Sequence, residues 1–208
     1  MFLHDIDAGT HGEDGENDKL RELFDHGGYR ALTELRDAGR IAGIGAGVNT
    51  WQICERLLHE ADFDGFLLAG RYTLLEQEPL DTFLPLCIER DVGIILGGPY
   101  NSGILATGAV EGARIDYAPA SEKMLQRVRN LSEVCTAHNT PLIAAALQFP
   151  LGHAAVKSVI PGASTSDEVR QNVEIFEKPL PHGLWSDLKS EGLIRQDAPT
   201  PQEAKDAA

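Results

Sequence analysis

Val156–Asn172 reads VKSVIPGASTSDEVRQN, a short apolar strand joined to a helix through a turn able to hold an anion. Lys157-Ser158-Val159-Ile160 has the composition of a buried strand, and Pro161-Gly162 stops it. Ser164 or Ser166 is placed to cap the helix that carries Asp167, Val169, Asn172 and Val173. The first turn of such a helix leaves backbone N–H groups without partners, and these attract negative charge. Near the end of a β/α chain this arrangement is a usual phosphate seat of barrel folds. It equally serves as an ordinary last βα turn with no ligand, so the local sequence leaves both readings open.

Upstream, strand-like and helix-like segments alternate. Strands are predicted at Met1–Ile6, Ile41–Val48, Gly65–Leu68, Val92–Gly97 and Val156–Ile160. Helices are predicted at Tyr29–Ala38, Thr50–Ala61, Leu80–Glu89, Glu122–His138, Pro141–Phe149 and Ser166–Glu177. Apolar strands outside hairpins imply an α/β fold whose parallel sheet has outer helices, either an open doubly wound sheet or part of a barrel. Two features favour the barrel. The loop after the first strand, HDIDAGTHGEDGEND, is acidic and would repel the pyrophosphate that a doubly wound sheet grips there. The glycine-rich turns come late, at Gly97–Gly103 and Pro161-Gly162, after the last two predicted strands. A barrel needs eight strands and five are predicted, so the chain either borrows strands or is the C-terminal part of something longer. Its polar end, residues 195–208, reads as a disordered tail.

Composition narrows the partners. The 208 residues are 42% hydrophobic with a formal net charge of −14, which argues against nucleic acid and anionic membranes. No apolar run is long enough to span a bilayer, and no secretory signal precedes Phe2-Leu3, so a soluble cytoplasmic protein with a small-molecule ligand is expected. Cys54, Cys87 and Cys135 are widely spaced within helical patterns and read as buried reduced thiols. His4, Asp5, Asp7 and His11 read as a solvated cluster rather than a metal site, and Glu13, Asp14, Glu16 and Asp18 as a solvated, mobile loop. Phe24, Tyr29, Trp51, Phe66, Phe83, Phe149 and Phe176 fall at core spacing.

Six motifs taken in order carry a family resemblance: LHDID at 3–7, IGAGVN at 44–49, RYTLLEQ at 71–77, GGPYNSGIL at 97–105, LIAAALQFPL at 142–151 and VIPGASTSDEVRQN at 159–172. Together they resemble the aldo-keto reductases, and within them the branch of L-fucose and D-threo-aldose 1-dehydrogenases and pyridoxal dehydrogenase. The resemblance runs over residues 1–194 and implies that they are a partial barrel, the C-terminal five strands of a (β/α)8 TIM barrel whose fourth strand begins at Met1. It also implies a nicotinamide cofactor, NAD or NADP, and a small sugar or aldehyde substrate. Of the family's Asp, Tyr, Lys and His tetrad, only the His has a counterpart, His4, expected to orient the substrate oxygen. The other three positions fall upstream of Met1, so the chain is expected to be nearly inactive alone. An oxidoreductase portion, a half of a split enzyme with an N-terminal partner chain, and a nucleotide-binding remnant all stay open. The free edge of the first strand also invites self-association.

The resemblance further implies the cofactor contacts. Asn49 matches the position that bonds the nicotinamide carboxamide, although an Asn there also suits a helix cap. The family's second amide partner, a Gln, is replaced by Ala69. Gly97, Gly98, Asn101, Ser102 and Gly103 match the pyrophosphate loop. Gly162, Ser164, Glu168, Gln171 and Asn172 match the adenosine end. Glu168 and Gly162 stand where NADP-preferring relatives carry cations, and Asp167 adds negative charge, which favours NAD. Lys157 or Arg170 could swing in against that preference. Trp185, in the C-terminal segment, is expected either to wall the substrate pocket or to pack outside the barrel.

Overall fold

The computed structural model describes residues 1–116 and 118–201. Its elements in chain order begin β1 (Phe2–His4), α1 (Ala8–Phe24), α2 (Gly28–Asp37), β2 (Gly45–Val48), α3 (Trp51–Glu60), β3 (Gly65–Ala69) and α4 (Phe83–Glu89). They continue with β4 (Gly93–Gly97), α5 (Ile104–Thr107), β5 (Arg114–Ile115), β6 (Ala118–Pro119), α6 (Glu122–Ala137), α7 (Leu142–Gln148), β7 (Val156–Ile160), α8 (Ser166–Glu177) and α9 (His182–Ser190). β7 and α8 begin and end where the sequence predicts. β2 is shorter than predicted because Ile41–Ile44 form a bend: the Ile44 N–H turns to the Asp64 carboxylate, 2.7 Å away, instead of a strand neighbour.

The sheet is five-stranded and all parallel, in the order β1-β2-β3-β4-β7. Each strand lies beside its predecessor in the sheet, without the reversal that defines a doubly wound fold. Side chains alternate across it. Phe66, Leu68, Ile94 and Leu96 are fully buried, whereas Leu67 and Ile95 on the other face are half-buried. The core fills the first face. Trp51, Phe83, Phe66 and Phe63 form a continuous aromatic run with ring centroids 6.4, 6.0 and 5.6 Å apart, and each such buried ring contributes about 1.5–3 kcal/mol. Cys54, Cys87 and Cys135 are buried free thiols; burial pushes Cys87 up to about 12 and Cys135 to about 11, keeping them inert at neutral pH. Among the described residues no helix is long and apolar enough to cross a membrane.

Several expectations are corrected. Glu13, Asp14, Glu16 and Asp18 belong to helix α1, beyond a break in it at Gly12 (φ 71°, ψ 169°), not to a loop. Asp7 caps the first turn, and Glu16 accepts the Ala8 N–H at 2.8 Å across the break while facing Arg56, so these pairings offset the polar, glycine-containing sequence. Residues 114–119 contain an antiparallel pairing of β5 with β6, two residues to a strand and too short to show periodicity. Phe176 is half exposed on α8 rather than in the core. The tail expected to be disordered from residue 195 is packed through residue 200. Arg195 bonds Asp81 and Asp197, its N–H reaches Gln77 Oε1 at 2.7 Å, and Ala198 and Thr200 are buried. Pro199 and Thr200 lie so close over Gly152 that a β-carbon there would stand 2.5 Å from the Pro199 oxygen. Residues 202–208 lie outside the described residues.

The two outer strands differ from the rest. Among the described residues β1 and β7 each have one strand neighbour. Apolar side chains are exposed beside both: Met1 and Phe2 on one side, and Ile160, Val169, Val173 and Phe176 on the other, each about half exposed. Val169, Val173 and Phe176 border a groove of about 390 Å³ between β7 and α8.

Candidate active site

A cavity of about 730 Å³ opens at the C-terminal ends of β1 to β4. Parallel strands deliver their ends and following loops to one rim, which is where such sheets bind ligands. His4, Asn49, Gly98, Asn101 and Ser102 border it, together with Arg71. His4 ends β1, with 87% of its side chain exposed and Nε2 3.4 Å from Asp5 Oδ2. Asn49 follows β2 directly. It is not the helix cap, since Thr50 holds that position at α3. Its backbone N–H donates to Asp7 Oδ2 at 2.7 Å, its carbonyl accepts from Arg71 Nε at 2.8 Å, and its Nδ2 donates to Asp5 Oδ1 at 3.2 Å. Neither Ala69 nor the neighbouring Gly70 at the rim replaces the amide of a Gln there.

The turn after β4 is built from left-handed backbone. Gly98, Asn101, Ser102 and Gly103 have φ of 60°, 45°, 57° and 93°. Two of these are not glycine, and Asn101 is held in this region by bonds at both ends of its amide. Asn101 Oδ1 accepts from Thr73 Oγ1 at 2.6 Å and Nδ2 donates to the Gly70 carbonyl at 3.0 Å, with the residue 4% exposed. The Asn101 side chain thus ties the turn after β4 to the one after β3. What faces outward is Ser102, with the backbone around it. Gly97 lies at the end of β4 and Gly103 at the start of α5, both behind the cavity rim.

The second predicted cluster forms a separate surface. Thr165, rather than Ser164 or Ser166, caps α8 by accepting the Glu168 N–H at 3.2 Å. Glu168 returns the bond by accepting the Ser164 N–H at 2.6 Å, a reciprocal capping arrangement. Gly162, Ser164, Glu168 and Gln171 are exposed there. Lys157 is engaged with the Ala154 carbonyl, and Arg170 pairs with Asp167 in the first turn of α8. Asn172 accepts from Tyr100 OH at 2.7 Å, and Gly98 N–H donates to the Ile160 carbonyl at 3.1 Å. These two bonds bring the glycine turn and the α8 turn side by side. Burial pushes the Tyr100 hydroxyl up to about 12, so it stays a donor.

Trp185 is 3% exposed, its ring 6.1 Å from Phe149, on α9 where that helix meets α6. It does not border this cavity. Sequence reasoning missed Arg71 and Asp116, which form an ion pair at 2.9 Å across the cavity rim. Arg71 stood inside a quoted motif, but nothing in the order of residues showed that a hairpin would bring Asp116 to it. Among the described residues no group of three or more His, Cys, Asp or Glu is disposed to hold a metal ion.

Fold and site thus define a parallel β/α protein with a ligand cavity at the C-terminal ends of its strands. Residues 1–191 match the aldo/keto reductase family, and the chain belongs to it. It is 45% identical to pyridoxal 4-dehydrogenase of Microbacterium luteolum over 194 residues, 93% of this chain and 56% of that protein. It is 37% identical to D-threo-aldose 1-dehydrogenase of a Pseudomonas species over 83% of this chain and 52% of that protein. The holo form of aldo-keto reductase AKR11C1 from Bacillus halodurans superposes with a TM-score of 0.64 at 25% identity, over 84% of this chain and 57% of that one. The chain therefore spans about half the length of the curated relatives it matches.

Proposed function

We propose that the chain carries the cofactor-binding side of a nicotinamide-dependent oxidoreductase acting on an aldose at carbon 1 or on a comparable small aldehyde such as pyridoxal. The observation that carries this is the juxtaposition of His4 and Asn49 at one cavity in a chain of this family. A volume of about 730 Å³ suits a nicotinamide riboside with a small substrate. When bound, the cofactor exchanges hydride with the substrate carbon. Asn49 would hold its carboxamide, Ser102 and the backbone of residues 98–103 its pyrophosphate, and the turn at Gly162–Glu168 with Gln171 its adenosine end. His4 would orient the substrate oxygen. NAD is favoured over NADP because the exposed Glu168 carboxylate stands at that end, while Lys157 is engaged with the Ala154 carbonyl and Arg170 with Asp167.

The five strands are read as the C-terminal five of an eight-stranded barrel. The unreversed strand order, the two free edges and the uncovered apolar face of α8 support this. Three further βα units, supplied by the same polypeptide or by a partner chain, would pair with both edges, cover Val169, Val173 and Phe176, and bring the Asp, Tyr and Lys of the tetrad to His4. Without the proton donor the rate would fall by about 10²–10⁴.

The intact mass of the native protein tests the arrangement. A mass near 35 kDa, about that of a complete barrel with its tail, or co-purification of the 22.6 kDa chain with a second chain, would support it. A lone 22.6 kDa chain that turns over an aldose with NAD would overturn it. A lone chain with no turnover that still binds NADH would favour the remnant reading.

A further inference from the structure

Asn49 is held on every side by residues that have no assigned role. Both peptide groups flanking its α-carbon are fixed by charged partners: the N–H by the Asp7 carboxylate at 2.7 Å, the C=O by the Arg71 guanidinium at 2.8 Å. Charge-assisted bonds of this kind are roughly twice as strong as neutral ones. Asp7 is 0% exposed and reaches Asn49 from the loop after β1, while Arg71 reaches it from the loop after β3. Two loops on opposite sides of β2 therefore clamp one residue at its tip.

Asp7 has a second task, which allows the two to be separated. Its Oδ1 accepts from Thr10 N at 2.9 Å and Thr10 Oγ1 at 3.0 Å and caps α1, while Oδ2 alone holds Asn49. Arg71 likewise divides its donors. Nε serves Asn49, and Nη1 serves Asp116, with Glu76 at 4.0 Å. The arrangement leaves Asn49 only its side-chain torsions, and the Nδ2 bond to Asp5 at 3.2 Å restrains those.

We propose that Asp7 and Arg71 are positioning residues that fix the Asn49 amide for recognition of the cofactor's carboxamide. This rests on the reading of Asn49 given above. Groups that recognise a small planar amide must be held to within about 0.5 Å, and side chains locked by a supporting layer achieve this. The clamp also offers a physical reason why Ala69 is tolerated where the family's second amide partner stands: one amide held rigidly can replace two held loosely, because less ordering entropy is lost on binding.

ADP-ribose, which lacks nicotinamide, separates this role from a merely structural one. The probes are NADH and ADP-ribose, titrated calorimetrically against the protein in its native assembly. The wild type is expected to bind NADH more tightly than ADP-ribose. In Asp7→Ser the hydroxyl still caps α1 but cannot reach Asn49, so the NADH advantage should shrink about tenfold with ADP-ribose affinity unchanged. Arg71→Met should act in the same direction. It leaves the α1 cap intact, which keeps the test usable should Asp7→Ser fold poorly. An undiminished NADH advantage in both variants would overturn the proposal, as would an equal loss of both ligands. A wild type that binds the two ligands equally would instead overturn the reading of Asn49 and the proposal with it.

Discussion

Replacing Asn101 by alanine should destabilise the protein by about 3 kcal/mol, although the change is small and removes little apolar area. Two costs combine. The variant loses the bonds to Thr73 Oγ1 and to the Gly70 carbonyl, 2.6 and 3.0 Å long. Each bond is worth about 0.5–1.5 kcal/mol net, more where the abandoned partner stays buried. Thr73 Oγ1 would still accept the Leu75 and Glu76 N–H groups, but its own hydroxyl proton, on a fully buried residue, would lose its acceptor, a larger loss than at the half-buried Gly70. The second cost is backbone strain. At φ of 45° an alanine is disfavoured by about 1–2 kcal/mol, whereas asparagine visits this region more readily. Asn101→Gly removes the same bonds without that penalty and should cost about 1 kcal/mol less than Asn101→Ala. Urea unfolding at equal m-values measures both, and a double-mutant cycle with Thr73→Val isolates the side-chain pair. A loss below about 1 kcal/mol for Asn101→Ala, or equal losses for Ala and Gly, would refute the reasoning that this turn is held in left-handed backbone by one buried amide.

The neighbouring tether should give way separately: Tyr100→Phe removes the 2.7 Å bond to Asn172, costs about 1 kcal/mol, and should raise amide exchange in α8 about fivefold without affecting α3. Burial pushes His153 below its ordinary 6.5, so the folded protein keeps it neutral while the unfolded chain takes up a proton. Stability is thus complete above about pH 6.5 and falls as pH drops through that value toward the lower folded pKa, at up to about 1.4 kcal/mol per unit. His153→Asn, whose Oδ1 can still accept the Ala155 N–H, should flatten melting temperature against pH from 7 to 5; an unchanged slope would remove His153 as the cause. At the α8 turn Glu168→Lys should raise NADPH affinity relative to NADH about tenfold, read by fluorescence titration. A wild type already preferring NADPH tenfold would dispose of the NAD preference.

The fold is largely legible in the sequence. The five parallel strands follow from apolar segments separated by helical periodicity, and the β7–α8 segment is bounded by chemistry that is local: proline and glycine end the strand, and a hydroxyl begins the helix. The pairing of motifs with a family followed from the same residues. Helix α1 was hidden because its stability comes from Asp7 at its start and from Glu16 reaching Ala8 and Arg56, distant in sequence or masked by an acidic, glycine-containing run. The C-terminal residues 195–200 were hidden for a like reason: polar composition cannot show that Arg195 will meet Asp81 or that Thr200 will lie on Gly152.

For the site, sequence alone determined which residues stand at strand ends, because strand ends are set by neighbours in the chain. Only the tertiary structure decided what their side chains are free to do. It left His4 and Asn49 at the cavity, packed Trp185 on Phe149, tied the Asn101 side chain to Thr73 and Gly70, and clamped Asn49 between Asp7 and Arg71. A residue's partners are selected by three-dimensional proximity across parallel strands whose sequence separation is tens of residues, and no local pattern encodes that distance.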